Sequence, residues 1–106
     1  MRFRVRILRR ASADILNITG YIHERSPQGA AAWMNAFERA KDRLTTNADT
    51  CSEADENHRF DIDVKQLLLR TRRGHVYRLV FTVVGDEVRV LRVRGSGQAP
   101  LKPSDV

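Results

Sequence analysis

The stretch that decides the fold is Leu67–Gly95, which reads LLLRTRRGHVYRLVFTVVGDEVRVLRVRG. β-Branched and aromatic residues dominate it, and Gly85-Asp86 supplies a two-residue turn between two apolar runs, a pattern typical of a β-hairpin. Alternation in the run before this turn places four apolar side chains on one face: Tyr77, Leu79, Phe81 and Val83. The stretch therefore predicts the strands of an antiparallel sheet.

Arginines interrupt these predicted strands. A guanidinium group inside a sheet is costly unless its face is open to solvent, a partner or a ligand. Arg70 and Arg72 share one face of an early strand, and Arg92 and Arg94 share one face of the last. Two interpretations stay open for Arg78 in the middle strand: an edge arginine whose head lies in solvent, or a bidentate clamp for phosphate or carboxylate.

The composition fits one domain spanning residues 1–106, of which 42% are hydrophobic. No apolar run is long enough to span a membrane, which excludes a transmembrane role. The N-terminal MRFRVRILRR lacks the apolar stretch of a signal peptide. Because Cys51 is the single cysteine, an internal disulfide is excluded. Together these features predict a cytoplasmic protein.

The charge is strongly positive, with a net charge of +6 and an isoelectric point near 10.4, and it is uneven. Residues 1–10 hold five arginines and no acid, and residues 64–94 hold eight lysines or arginines against two acids. Residues 48–63 hold six acids and one arginine. If the two basic segments become neighbouring strands, they form a basic patch that attracts nucleic acid, ribosomes or an acidic protein partner.

The first half of the chain predicts a strand and two helices. Apolar side chains alternate with arginines in residues 1–10, which indicates a half-exposed strand. From about residue 11 to near Arg25, apolar residues recur at helical spacing. Ser26-Pro27 then provides a cap and a first helical proline, so a second helix should run to about Thr46 and form a hairpin with the first.

The predicted fold is an α+β domain of order β-α-α-β-β-β, with the helical hairpin packed on one face of a small, mainly antiparallel sheet. Its last three strands should span about 64–71, 75–84 and 87–94. Residues 47–63 are polar, acidic and without a period, which indicates a mobile loop. Residues 96–106 should form an extended or flexible tail.

Few residues suggest chemistry. His75 follows the basic turn of Arg70, Arg72 and Arg73, and a histidine there is a candidate general base, although an inert histidine at a strand start is the commoner case. The three histidines are far apart and only one cysteine is present, so no metal site is predicted. No glycine-rich phosphate loop precedes a helix, and no cofactor is predicted.

Taken in order, the chain resembles the RelE/ParE toxin superfamily of bacterial type II toxin–antitoxin systems, over nearly its whole length. The helical part resembles the ParE, or plasmid-stabilisation, branch. The segments that carry the resemblance are Ala13-Asp14-Ile15, Ile18, Tyr21-Ile22, Ser26-Pro27, Ala30, Trp33, Tyr77-Arg78-Leu79-Val80-Phe81, Gly85-Asp86-Glu87-Val88 and Val93-Arg94-Gly95.

The resemblance implies a growth-arresting toxin and a cognate antitoxin, joined in a toxin–antitoxin hetero-oligomer. Such antitoxin segments are often acidic and fold on binding, which suits the net charge of this chain. The expected site for the antitoxin or target is therefore basic: Arg70, Arg72, Arg78, Arg92 and Arg94. In particular, we expect an antitoxin segment to cover Arg78, Arg92 and Arg94.

Two mechanisms occur in the superfamily. ParE-like members bind DNA gyrase and trap its cleaved complex, whereas RelE-like members are ribosome-dependent endoribonucleases that cut mRNA. The RelE pattern carries over at Arg78, but its lysines fall near Gln66 and Leu68, and its C-terminal arginine and tyrosine fall near Ser96 and Lys102. Gyrase is therefore the favoured target. One alternative is an enzyme, for which the catalytic candidates are Arg70, Arg78 and Arg94. The other is a degenerate member of the superfamily that only binds its antitoxin.

Overall fold

The computed structural model describes residues 2–72 and 74–106. Six elements follow one another along the chain: β1 (Arg4–Ile7), α1 (Arg9–Arg25), α2 (Pro27–Asn47), β2 (Lys65–Arg70), β3 (Val76–Val84) and β4 (Glu87–Gly95). Short 3-10 turns lie at Ala48–Thr50, Asn57–Arg59 and Pro103–Asp105. This order confirms the predicted α+β fold. Neither described helix is long and apolar enough to cross a membrane.

The four strands form one mixed sheet in the order β1-β4-β3-β2. β1 runs parallel to β4, and the other neighbours are antiparallel. The helical hairpin covers one face of this sheet, as predicted. We call the opposite face the outer face. Since β3 lies between β4 and β2, it is an interior strand.

A single residue joins the two helices. Ser26 has an extended backbone, with φ −158° and ψ 103°, which ends α1 and starts α2. Its hydroxyl oxygen accepts a hydrogen bond of 2.9 Å from the amide of Gly29, and Pro27 occupies the first helical position. These contacts confirm the cap that the Ser26-Pro27 pair predicts.

The main core lies between the helices and the sheet. Trp33 is its largest fully buried side chain; it stacks on Phe37 at a centroid distance of 5.7 Å and meets the edge of Tyr77 at 5.6 Å. Alternate sheet residues, among them Leu79 and Phe81, complete it. The face that alternation assigned to these side chains is therefore the helix-facing one.

A β-bulge places the arginines of β4. Val90 pairs with Phe81 and Arg92 pairs with Val80, so Leu91 is the extra residue on β4. Without it, alternation from Val90 would direct Arg92 and the next arginine into the helix-facing core. With it, Val93 fills the core and the arginines move to the outer face.

A second apolar cluster covers part of the outer face and corrects two predictions. Val80 and Leu91 of the sheet pack there against Ala54, Val64 and Leu101, all buried. Residues 47–63 are therefore not a loose loop, because they hold one side of this cluster. The tail is not loosely attached either, because Leu101 is fully buried. Each segment has too few apolar residues to show a period, so no local pattern predicts this packing.

Replacing Leu101 with alanine should lower the free energy of unfolding by about 2–4 kcal/mol, because a fully buried side chain is removed. Urea unfolding measures the loss. Val106→Ala, at an exposed position of the same tail, is the matched control and should cost less than about 0.5 kcal/mol. Equally small losses in both variants would contradict a docked tail.

Candidate functional site

Arg78 forms a bidentate ion pair with a carboxylate of its own chain. Its Nη1 lies 2.8 Å from Glu56 Oε1, and its Nη2 lies 2.7 Å from Glu56 Oε2. Nη1 also donates to Gln66 Oε1 at 2.8 Å. The edge-arginine interpretation is wrong, because β3 is interior and the Arg78 side chain is only 17% exposed. Arg78 is a carboxylate clamp, and the carboxylate that it holds is internal.

Glu56 connects this pair to the tail. Its side chain is 1% exposed, and its Oε2 accepts a hydrogen bond of 2.9 Å from the amide of Leu101. The hydrogen bonds from Arg78 lower the pKa of Glu56 to about 2, against the opposing effect of burial. The same contact raises the pKa of Arg78. Both groups therefore stay charged at neutral pH.

Arg92 is held by Asp14 of α1. Arg92 Nε and Nη2 lie 2.7 Å and 2.9 Å from the two carboxylate oxygens, and the hydrogen bond to Asp14 raises the pKa of Arg92. Asp14 Oδ2 also accepts the amide of Val93 at 2.9 Å. Because β1 ends at Ile7, the edge of β4 is open beyond this point, and Asp14 supplies the acceptor that a neighbouring strand would have supplied.

The tail accepts hydrogen bonds from three arginines. Arg92 Nη1 donates to the carbonyl of Asp105 at 2.8 Å, and Arg94 Nη2 donates to that of Ala99 at 2.9 Å. Arg10 donates to Ser104 at 2.7 Å. The buried Nε of Arg94 has no partner among the described residues. Arg78, Arg92 and Arg94, here called the outer-face arginines, are thus all engaged within the chain.

The other predicted site residues lie elsewhere. Arg70 ends β2 and Arg72 lies in the turn that follows, and both are exposed. Arg73 lies outside the described residues. His75 is exposed just before β3. The five predicted binding arginines therefore form two groups, one engaged on the outer face and one exposed at the end of β2.

A groove of about 680 Å³ opens beside this exposed end. It lies between the junction of the two helices and the turn that joins β2 to β3, and we call it the junction groove. Its walls include Tyr21, Arg25, Trp33, Arg72 and His75. The buried Nε1 of Trp33 has no hydrogen-bond partner in the described part of the chain.

The junction groove combines apolar surface with positive charge. Tyr21 is 60% exposed, and the guanidinium of Arg25 lies 3.8 Å from the centroid of its ring. The sequence did not indicate Arg25 as a site residue. Arg25 and Arg72 are far apart along the chain, and only the folded structure brings them to the same groove. The signal for this groove was the short helix junction at Ser26, which brings the end of α1 onto α2.

The contribution of Glu56 to stability should disappear in acid. Its folded-state pKa of about 2 lies below the ordinary value of 4.5, so the stabilisation is complete above about pH 4.5 and is lost as the pH falls towards 2. Its size is on the order of 3 kcal/mol. Urea unfolding of the wild type and of Glu56→Gln should show a gap that narrows over that window.

Glu53→Gln, at an exposed position of the same segment, is the control and should follow the wild type at every pH. A gap between wild type and Glu56→Gln that stays constant down to pH 2 would contradict a stabilising Glu56 carboxylate.

Comparison with known proteins identifies the family to which this chain belongs. The family model described as the ParE toxin of the type II toxin–antitoxin system parDE matches residues 5–100. A solved structure of the chromosomal ParDE toxin–antitoxin system from P. aeruginosa is similar, with a TM-score of 0.67 at 19% identity, over 89% of this chain and 96% of that chain. That likeness shows the fold alone. No match was found among curated proteins. Because the family model matches most of the chain, this protein belongs to the ParE toxin family of type II toxin–antitoxin systems.

Proposed function

We propose that this chain arrests bacterial growth by binding DNA gyrase, and that a cognate antitoxin neutralises it by binding the junction groove. Membership of the ParE toxin family supports the role of this chain as a toxin and the existence of a cognate antitoxin. The identity of the target as DNA gyrase goes beyond family membership and is the specific claim of this proposal. We place the protein in the cytoplasm, where gyrase acts.

A binding function, and not RNA cleavage, is supported by one observation. The outer-face arginines are already hydrogen-bonded to acceptors of their own chain. An endoribonuclease needs groups that take the 2′-hydroxyl proton and stabilise charge on the phosphate. The guanidinium of Arg78 is occupied by Glu56, and that of Arg92 by Asp14. His75, the one candidate base nearby in sequence, lines the junction groove on the helix side of the sheet. The described residues thus favour a surface that binds over a site that cuts RNA.

On controlled expression, DNA synthesis should fall before protein synthesis, because a gyrase-bound toxin blocks replication directly. Pulse-labelling of both processes in one culture measures the order. With purified gyrase and plasmid DNA, the protein should inhibit supercoiling and increase the cleaved DNA, while ribosome-bound mRNA stays intact. An earlier fall in protein synthesis with mRNA cut on the ribosome would refute this proposal. Arg70, Arg78 and Arg94 would then become catalytic candidates.

Among the surfaces described, the junction groove is the best candidate for the antitoxin-binding site. The exposed ring of Tyr21 gives the groove an apolar anchor site for a bound segment. Arg25 and Arg72 border the groove and give it positive charge. An apolar segment flanked by acidic residues would complement these features.

Coverage of Arg78, Arg92 and Arg94 by an antitoxin stays a prediction. Substituting Arg78 would not test it well, since the change leaves Glu56 buried without its partner and so lowers stability. Binding of the antitoxin to the junction groove is a separate proposal, and groove residues that do not hold the fold together test it.

Ala32→Glu should weaken antitoxin binding by tenfold or more, about 1.4 kcal/mol, because it adds bulk and negative charge to the groove wall. The partner in this test is the cognate antitoxin, and calorimetry measures its affinity for each variant. Ala31→Glu is the matched control, because Ala31 is exposed on the same helix and does not line the groove. Equal affinities for the two variants would place the antitoxin elsewhere.

A further inference from the structure

An exposed group of arginines remains on the outer face where β1 meets β4. Val5 and Ile7 of β1 face the helices, as do Val88 and Val90 of β4. Alternation therefore places Arg4, Arg6 and Arg89 together on the outer face. Their side chains are 73%, 65% and 41% exposed. We call these three residues the β1 patch.

The β1 patch brings like charges together. Arg6 and Arg89 are directly paired in the parallel register, an arrangement that costs stability unless other charges offset it. Glu87 supplies part of that offset, at 2.6 Å from Arg89 and 4.0 Å from Arg6. Asp86 lies 3.1 Å from Arg4. Three guanidinium groups thus face two carboxylates, and the exposed Arg2 and Arg9 adjoin β1 in sequence with further positive charge.

The chemistry of the patch fits a sugar–phosphate backbone better than a protein. Protein interfaces depend on buried aromatic or aliphatic anchors. Among the described residues, the exposed large apolar side chain near the patch is Val84, at the tip of the β3–β4 hairpin. No aromatic side chain among residues 2–72 and 74–106 is exposed there to stack on unpaired bases, as single-strand binding would need. Arginine, by contrast, matches phosphate oxygens with paired donors.

The spacing of the patch supports the same partner. Residues two apart on a strand are about 6.6 Å apart, and neighbouring strands are about 4.8 Å apart. Arg4, Arg6 and Arg89 therefore present donors at intervals comparable with those between neighbouring phosphates. We propose that the β1 patch binds the sugar–phosphate backbone of a nucleic-acid duplex. This surface lies on the face opposite the helices and does not depend on gyrase as the target.

The test measures binding of the full chain to a short labelled DNA duplex by fluorescence anisotropy over a range of salt concentrations. Each phosphate contact contributes about 0.9 to the slope of log affinity against log salt. The triple variant Arg4→Gln/Arg6→Gln/Arg89→Gln should therefore lose about 2–3 from that slope. Its matched control is Arg39→Gln/Arg43→Gln/Arg59→Gln, which removes the same charge from exposed positions elsewhere.

The single variant Glu87→Gln guards against loss of folding as an explanation. It removes a carboxylate that competes for Arg6 and Arg89, so it should tighten duplex binding, which an unfolded protein would not do. The same measurement with an RNA duplex of the same sequence shows whether the patch prefers DNA or RNA. Binding to either duplex supports the proposal. Equal slopes for the patch and control variants, preference for single strands, or weaker binding by Glu87→Gln would overturn it.

Discussion

The ion pair between Arg78 and Glu56 is the interaction on which the outer face depends. It joins an interior strand to the acidic segment before β2, and Glu56 also holds the amide of Leu101. A buried charge without its partner is strongly destabilising, so neither residue is dispensable while the other remains. Three parts of the chain that are far apart in sequence thus meet at one carboxylate. The apolar cluster around Val80 and Leu101 closes over the same region.

The elements of the fold were largely predictable because each has a local signal. The helices follow from apolar spacing and from the cap at Ser26, and the strands follow from alternation around Gly85. The bulge at Leu91 has no such signal, because one extra residue does not disturb the composition of a strand. The apolar packing of the tail was also missed, because a lone leucine among prolines and polar residues resembles a flexible segment.

The candidate site was less predictable than the fold. The sequence singles out arginines within strands as candidate binding residues, but the acceptor that each guanidinium meets depends on contacts between distant segments. Arg92 meets Asp14, which lies 78 positions earlier in the chain, and nothing local indicates that pairing. Because the outer-face arginines bind acceptors within the chain, the positive charge that other molecules can reach lies at two other places. These are Arg72 beside the junction groove and the β1 patch.

The parallel pairing of β1 with β4 has a consequence for how the protein is made. β1 leaves the ribosome before the other three strands of the sheet, but it pairs with the last of them, since Arg4 pairs with Glu87. Contacts this distant in sequence close late, after the loop entropy of the intervening chain has been overcome. The helical hairpin can form during synthesis from local contacts, whereas β1 must wait for β4. The finished sheet, with any surface that spans these two strands, therefore belongs to the completed polypeptide and not to the nascent one.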